Sequence, residues 1–332
     1  MKRSSARHWQ PTGTSHVTPK SLRRLIAASG VLTIGILSVL TAASQSAAQP
    51  DRVRIQLLSR GAVLYLLTGA GNSIVLIRDE GVVLIDSKTS AMAPAIVDAV
   101  ALVTDRPITT IINTHAHLDH TGGNVALPRV TDIIAHEHTR AAMQKMDAFS
   151  GRNAKFLPNK TVGDKMSLFE GRDRIDLYYF GPGHTNGDLV VVLPGHEIAY
   201  LGDLFPLKTA APVIDVANGG SGVALPDTLD RALREIKGVT RIVTGHEPLP
   251  PPGAPRSSLG DVQTWEDLQQ YAAFNRAILE AARTAIAQGK SAAEAAATLS
   301  LPGKYAGYDM RQAKANVEII YKELSGSNRP AR

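Results

Sequence analysis

The stretch Thr114-His115-Ala116-His117-Leu118-Asp119-His120 packs three imidazoles and a carboxylate into six consecutive positions. These donors suit a borderline divalent metal such as zinc, and iron or manganese accepts similar ones. In an extended segment side chains alternate faces, so His115 and His117 can turn to the same side and hold one ion. Asp119 and His120 continue past the turn and can hold a second. A polar loop with scattered histidines would carry neither this density nor the further candidate donors that follow.

Those donors recur singly after three later apolar runs. His184 lies in the tight loop Phe180-Gly181-Pro182-Gly183-His184-Thr185-Asn186-Gly187-Asp188. Asp203 lies in Ala199-Tyr200-Leu201-Gly202-Asp203-Leu204, and His246 in Ile242-Val243-Thr244-Gly245-His246-Glu247-Pro248. The elements that must place them are legible in the hydrophobic pattern. The first cluster follows residues 108–112, a β-branched run that reads as a buried strand, so the donors stand at a strand's end, where open α/β sheets place their sites. Residues 53–58, 63–68, 73–78 and 82–85 read as one set of short strands, with Gly69-Ala70-Gly71-Asn72 as a turn. Residues 161–168, 173–180, 189–193 and 197–202 read as a second set. Residues 94–103 and 226–237 read as helices, the first with proline in its opening turn, the second with acids early and bases late.

Taken in order, these motifs resemble those of the metallo-β-lactamase-fold superfamily of metallohydrolases, over roughly residues 52–250. Asp86, which closes the strand-like Gly81-Val82-Val83-Leu84-Ile85, resembles the first motif, an acid that braces the metal loop. His115-x-His117-x-Asp119-His120 resembles the second, and His184, Asp203 and His246 the third, fourth and fifth. The resemblance implies an α/β fold, a four-layer αββα sandwich of two sheets flanked by helices. It implies two zinc ions, one held by His115, His117 and His184, the other by Asp119, His120 and His246, with Asp203 between them. The acid at the fourth motif stands where the best-known β-lactamases of this fold have cysteine or serine, and is nearer the glyoxalase, lactonase and general hydrolase branches. His117 stands where the diiron, flavin-linked oxygen reductases have glutamate, which argues against redox chemistry.

The implied reaction is hydrolysis. Two zinc ions about 3.5–4 Å apart share a water and lower its pKa toward neutrality. The hydroxide attacks a carbonyl carbon, with one ion stabilising the oxyanion and the other the leaving atom. Asp119 is the candidate catalytic residue, orienting the nucleophile and passing on its proton through an oxygen left free. Each imidazole also needs a partner on its second nitrogen, which the sequence does not name.

At 332 residues and 44% hydrophobic, the chain can bury a sizeable core. Its net charge of +6 is misleading. Six of the 36 Lys and Arg lie in residues 1–48, which hold no acid, so the rest balances the 30 Asp and Glu. A neutral body gives no electrostatic case for nucleic-acid binding. Residues 1–48 read as a signal peptide: Arg23-Arg24, an apolar stretch from Leu25 to about Leu40, and Ser46-Ala47-Ala48 as a cleavage site before Gln49. The apolar stretch is short for a membrane anchor, which needs about 20 residues. The expected location is periplasmic or secreted, with no stable membrane span after cleavage. Zero cysteines excludes thiolate ligands and thiol nucleophiles.

Residues 49–250 thus form the expected catalytic domain, and 251–332 a C-terminal helical extension packed on it. Prolines and glycines crowd residues 247–261, and helices follow over 265–288, 291–299 and 310–324. Leu268, Tyr271, Ala272 and Phe274 form a face suited to packing rather than to a substrate lid. His136 and His138 read as the end of a strand leading into a helix near Thr139, and His196 as an exposed turn residue. Asn186 and Asp188 read as support for His184. Lys208 is out of register for a substrate anchor, and residues 207–222 read as a flexible loop walling the site.

The reading is an exported binuclear zinc hydrolase acting on a small-molecule ester, thioester, lactone or amide. The alternatives are a β-lactamase and a non-catalytic metal-binding partner module. The full donor set favours an enzyme.

Overall fold

Runs of β-branched and aliphatic residues pair into two sheets in the computed structural model, which describes residues 53–59, 61, 63–127, 129–246 and 262–325. The first sheet follows chain order: β1 (Arg54–Leu57), β2 (Leu64–Thr68), β3 (Ser73–Arg78), β4 (Gly81–Ile85), β5 (Ile108–Ile112), β6 (Asp132–His136) and β7 (Lys160–Val162). Its strands pair antiparallel up to β4 and parallel from there on. The second contains β8 (Lys165–Leu168), β9 (Ile175–Tyr179), β10 (Leu189–Leu193), β11 (Ile198–Tyr200), β12 (Arg241–Val243) and β13 (Gln263–Thr264). Only its β11–β12 pair is parallel.

Period-two alternation divides each strand between two cores. Leu64, Leu66, Ile74, Leu76, Val83 and Ile85 face Leu189, Val191, Leu193, Leu177 and Tyr200 between the sheets. On the outer face of the first sheet, Leu67, Val75, Val82 and Leu84 pack against Ile96 and Val100 of helix α1 (Ala93–Ala101). With both faces covered, the strands read as continuous apolar runs. The one-turn α2 (Leu118–Thr121) and α3 (Glu137–Met143) follow β5 and β6. On the second sheet, Val190, Val192, Leu201 and Ile242 pack against Leu225 and Leu229 of α4 (Leu225–Glu235), and against Leu268, Tyr271 and Ala272 of α5 (Trp265–Ala287). The result is the expected αββα sandwich.

The C-terminal helices add to that layer. Helix α5 opens on a Thr264 capping box and α6 (Ala292–Ala297) on a Ser291 one. Phe274 and Ile278 turn away from the sandwich to pack with Tyr305 and with Val317 and Ile320 of α7 (Met310–Leu324). The described residues belong to one compact unit, Asp51–Arg332. The expected signal peptide, the connector 247–261 and the domain boundary at 250 lie outside the described residues. Among the described residues no helix is long and apolar enough to cross a membrane.

Three expectations need correction. Residues 161–168 are not one strand of the second sheet but two, β7 in the first sheet and β8 in the second. The chain crosses between sheets at Gly163-Asp164, where Tyr179 N donates to Asp164 O at 2.8 Å. Val162 and Met166 meet the inter-sheet core from opposite sides, so one alternation hid two strands. His196 is buried, not exposed. Its turn is covered by Arg241, which donates to the carbonyls of His196 and Leu58, a closure made by residues remote in sequence. The helix expected near Thr139 begins at Glu137, because the His136 ring accepts from His138 N at 3.2 Å and caps it.

Candidate metal centre

Parallel pairing brings the carboxyl ends of β4 and β5 together in one sheet and of β11 and β12 in the other. Asp86 follows β4, His115 to His120 follow β5 and run into α2, Asp203 follows β11, and His246 follows β12. His184 arrives on the loop between β9 and β10. All seven expected ligands converge there, in two groups. His115, His117, His184 and Asp203 form one, and Asp119, His120 and His246 the other, with the donor atoms of each group within 4.8 Å of one another. Asp203 lies between the groups: Oδ1 is 3.3 Å from His120 Nε2, and Oδ2 is 3.2 Å from His246 Nε2 and 3.9 Å from His184 Nε2.

The chemistry of the pocket fits cations. His115 Nε2, His120 Nε2 and Asp203 Oδ1 are buried without a hydrogen-bond partner. Buried polar atoms are ordinarily satisfied. Three orphans converging among further imidazole and carboxylate donors are what divalent ions would satisfy.

The outward ring nitrogens have partners that the sequence did not reveal. His120 Nδ1 lies 2.7 Å from Asp86 Oδ2. His115 Nδ1 lies 3.1 Å from Thr114 Oγ1, which donates to Asp86 Oδ2 at 2.7 Å. His117 Nε2 lies 2.7 Å from Asp215 Oδ2, and His184 Nδ1 faces the Val213 carbonyl. Each partner accepts the ring proton and leaves the other nitrogen's lone pair for a metal. Tyr200 Oη reaches Asp86 Oδ2 at 2.8 Å and Asn72 O at 2.9 Å. Asp215 had a local signal, the Asp215-Val216-Ala217-Asn218 turn, in which Asp215 accepts from Asn218 N. Thr114 and Tyr200 had none, since both act across strands.

Burial and charge set the protonation states. Burial holds the His115 and His184 imidazoles below their usual range, helped at His115 by His120. Burial opposes the charged form of His120, but Asp203 and Asp86 outweigh it and raise its pKa well above the ordinary value. Burial also opposes ionisation of Asp203, yet the charge of the nearby His120 holds it well below the carboxylate range. Asp203 is therefore an anion, fit to face cations from both sides.

The backbone beneath the site is strained. Asp86 (φ 60°) and Lys88 (φ 58°) both occupy the left-handed region, which costs non-glycine residues energy. Surrounding contacts enforce it: Ser87 Oγ donates to Asn124 Oδ1 at 2.7 Å, and the buried Lys88 Nζ donates to the carbonyls of Leu67, at 3.1 Å, and of Gly71. Gly245 is needed for space, because a Cβ there would lie 2.1 Å from Asp203 Oδ1.

The neighbouring polar residues sort clearly. Asp188 accepts from the backbone and hydroxyl of Thr185, and so shapes the His184 loop; burial pushes its carboxyl up to about 7. Asn186 accepts from Tyr179 Oη. His136 stacks on Tyr179 with ring centroids 4.0 Å apart, outside both ligand groups. Lys208 pairs with Asp267 at 2.7 Å. The loop expected to be a flexible wall is instead tied down at Asp215, whose N donates to His184 O at 2.8 Å, and at Ser221, whose N donates to Gly183 O at 3.0 Å.

Residues 66–261 match the family profile of the metallo-beta-lactamase superfamily. The chain belongs to that superfamily. It is 28% identical over 176 residues to a type 2 metallo-beta-lactamase of Bacillus sp. (strain 170), covering 53% of this chain and 66% of that protein. It is 32% identical over 144 residues to a hydroxyacylglutathione hydrolase of Nitrosococcus oceani, covering 42% of this chain and 49% of that one. The chain thus spans just under two thirds of the first relative and about half of the second. Both are hydrolases, and the superfamily uses divalent metal ions. A metallo-beta-lactamase from Pontibacter korlensis shares the fold, with a TM-score of 0.52 at 19% identity over 68% of this chain and 99% of that one.

Proposed function

We propose that the chain is an exported hydrolase that holds two zinc ions and cleaves an uncharged ester, thioester, lactone or amide. The observation that carries the reading is the convergence of His115, His117, His184, Asp119, His120, His246 and Asp203 around three orphaned buried atoms. Bound there, two divalent ions would supply an acidic water and polarise a carbonyl.

The chain's own residues do the rest. His115, His117 and His184 would hold one ion, and Asp119, His120 and His246 the other, with the rings of His115, His117, His120 and His184 each aimed by an outward partner. Asp203, only 13% exposed and held anionic, serves both groups. Asp119 is the more open acid, with its side chain 37% exposed. It has room to orient a water and take its proton through an oxygen left free. Leu118, Val213 and Val216 are large apolar side chains left about half exposed on the segments that carry or brace ligands. They favour an apolar acyl or leaving group over a charged one. The lysine nearest the fourth motif, Lys208, is committed to Asp267. Export rests on the basic start, apolar stretch and small residues of residues 1–48.

A second reading, β-lactam hydrolysis, is favoured by the similarity to the Bacillus enzyme and disfavoured by the acid at Asp203. The test is the protein from Gln49 onward, assayed for metals per chain and for turnover of β-lactams, lactones, aryl esters and thioesters with and without chelator. Two zinc ions and chelator-sensitive turnover are expected, fastest on an uncharged ester or lactone. A faster β-lactam would select the second reading. A chain without bound metal would end both.

A further inference from the structure

Helix α7 lies outside residues 66–261, which match the family profile, yet it grips the loop that aims two of the expected ligands. We propose that α7 is a clamp for the first metal group, with Asn316 and Glu323 as its positioning residues. The proposal rests on the two-ion reading above.

The contacts repeat every seven residues. At the start of α7, Asp309 N donates to Thr209 O at 2.8 Å. Asn316, buried, donates through Nδ2 to Pro212 O at 2.9 Å. Glu323 accepts through Oε1 from Gly222 N at 2.8 Å, and through Oε2 from the Ser221 hydroxyl and from Val223 N at 3.4 Å. Seven residues are almost two helical turns, so positions 309, 316 and 323 share one stripe. The loop sits directly on that stripe: a Cβ on Gly222 would lie 2.8 Å from Ile320 Cγ1.

Between the grips lie the two braces. Pro212 immediately precedes Val213, whose carbonyl faces His184 Nδ1, and two residues on, Asp215 faces His117 Nε2. Asn316 thus holds the peptide next to the His184 acceptor. Glu323 holds the far end, just before α4, whose N-cap Ala224 offers no side-chain bond. A carboxylate at that helix start is favourable in its own right, because it meets unpaired N–H groups and the positive end of the dipole. A shift of the loop would turn both rings, since each ring's orientation follows its outward acceptor. The second group is braced differently, with His120 held by Asp86 at the end of β4 in the first sheet. The clamp therefore acts on one ion and not the other.

The experiment uses the full chain loaded with zinc, and separately with cobalt, in wild type, Asn316→Ala, Glu323→Ala, Glu323→Gln and the exposed control Glu318→Gln. Stepwise release to a chelator and the cobalt absorption bands are read, with apo-protein melting recorded alongside. In Asn316→Ala and Glu323→Ala one metal equivalent should bind about tenfold or more weakly and its cobalt band should shift, while the other equivalent is unchanged. Glu323→Gln, at a half-buried position, keeps an acceptor oxygen and should recover much of the loss. Glu318→Gln should match wild type. Folded variants that release both ions as wild type does would overturn the clamp alone. Equal weakening of both ions in step with a lower melting temperature would also overturn it, by reducing α7 to general support. Wild type without metal would overturn the clamp and the two-ion reading together.

Discussion

Asp86 Oδ2 lies 2.7 Å from His120 Nδ1. The same oxygen accepts from Thr114 Oγ1, which lies against His115 Nδ1, so one carboxylate orients an imidazole in each ligand group. Asp86→Asn keeps the shape but replaces one acceptor oxygen with a donor. The substitution should weaken metal binding by about 10–100-fold and destabilise the fold by about 1–3 kcal/mol. Chelator competition and denaturant melts measure the two effects. Unchanged metal affinity would contradict the bracing role.

Gly245 leaves space that the site needs. A Cβ there would lie 2.1 Å from Asp203 Oδ1 and 2.7 Å from Gly202 O, so Gly245→Ala must displace backbone or the shared carboxylate. The cost should be about 1–3 kcal/mol of stability, together with loss of bound metal. Calorimetry and metal analysis on the same sample test this. A variant with full metal content would mean that the strand end yields more easily than its packing indicates.

Asp119 should separate proton transfer from metal holding. Asp119→Asn retains an oxygen donor but cannot accept a proton, and should lower kcat by about 10²–10⁴-fold while keeping much of the metal. Asp119→Ala should lose metal as well. Steady-state rates and metal content measured together decide it. Near-normal kcat in Asp119→Asn would remove this residue from the proton path.

His136 makes the metal-free protein acid-sensitive. Burial, then the neighbouring His138, pushes its imidazole down to about 4, against about 6.5 in an unfolded chain. Between those values the unfolded chain binds more protons than the folded one, so stability is lost as pH falls from about 6.5 toward 4. His136→Phe keeps the aromatic stack on Tyr179 and should flatten that part of the profile. Urea midpoints from pH 4 to 7, without metal, compare the two. Parallel profiles would show that other groups carry the acid response.

Metal removal should lower stability by mass action alone. With free zinc at about 100 times Kd, each ion adds about 2.7 kcal/mol. Chelation should therefore lower the melting temperature, and zinc should restore it. A melting temperature indifferent to chelator would place the ions outside the folded unit.

By itself the sequence determined the strands, the ordered donors and therefore the fold, because those signals are local. Alternating apolar runs mark strands, and His115-x-His117-x-Asp119-His120 sets four candidate metal donors close together in sequence. Even the boundaries of α7 were legible from its helical pattern. The tertiary structure decided what depends on distant segments meeting. Tyr200 reaches Asp86 from the opposite sheet, Asp215 reaches His117 across 98 residues, and Glu323 holds a loop a hundred residues away. His196 is buried because Arg241 closes over its turn, and residues 161–168 divide between sheets because Gly163-Asp164 bends the chain. Periodicity tells which face of an element is apolar. It carries no record of which polar atom waits on the facing element, since that is fixed only when the layers pack.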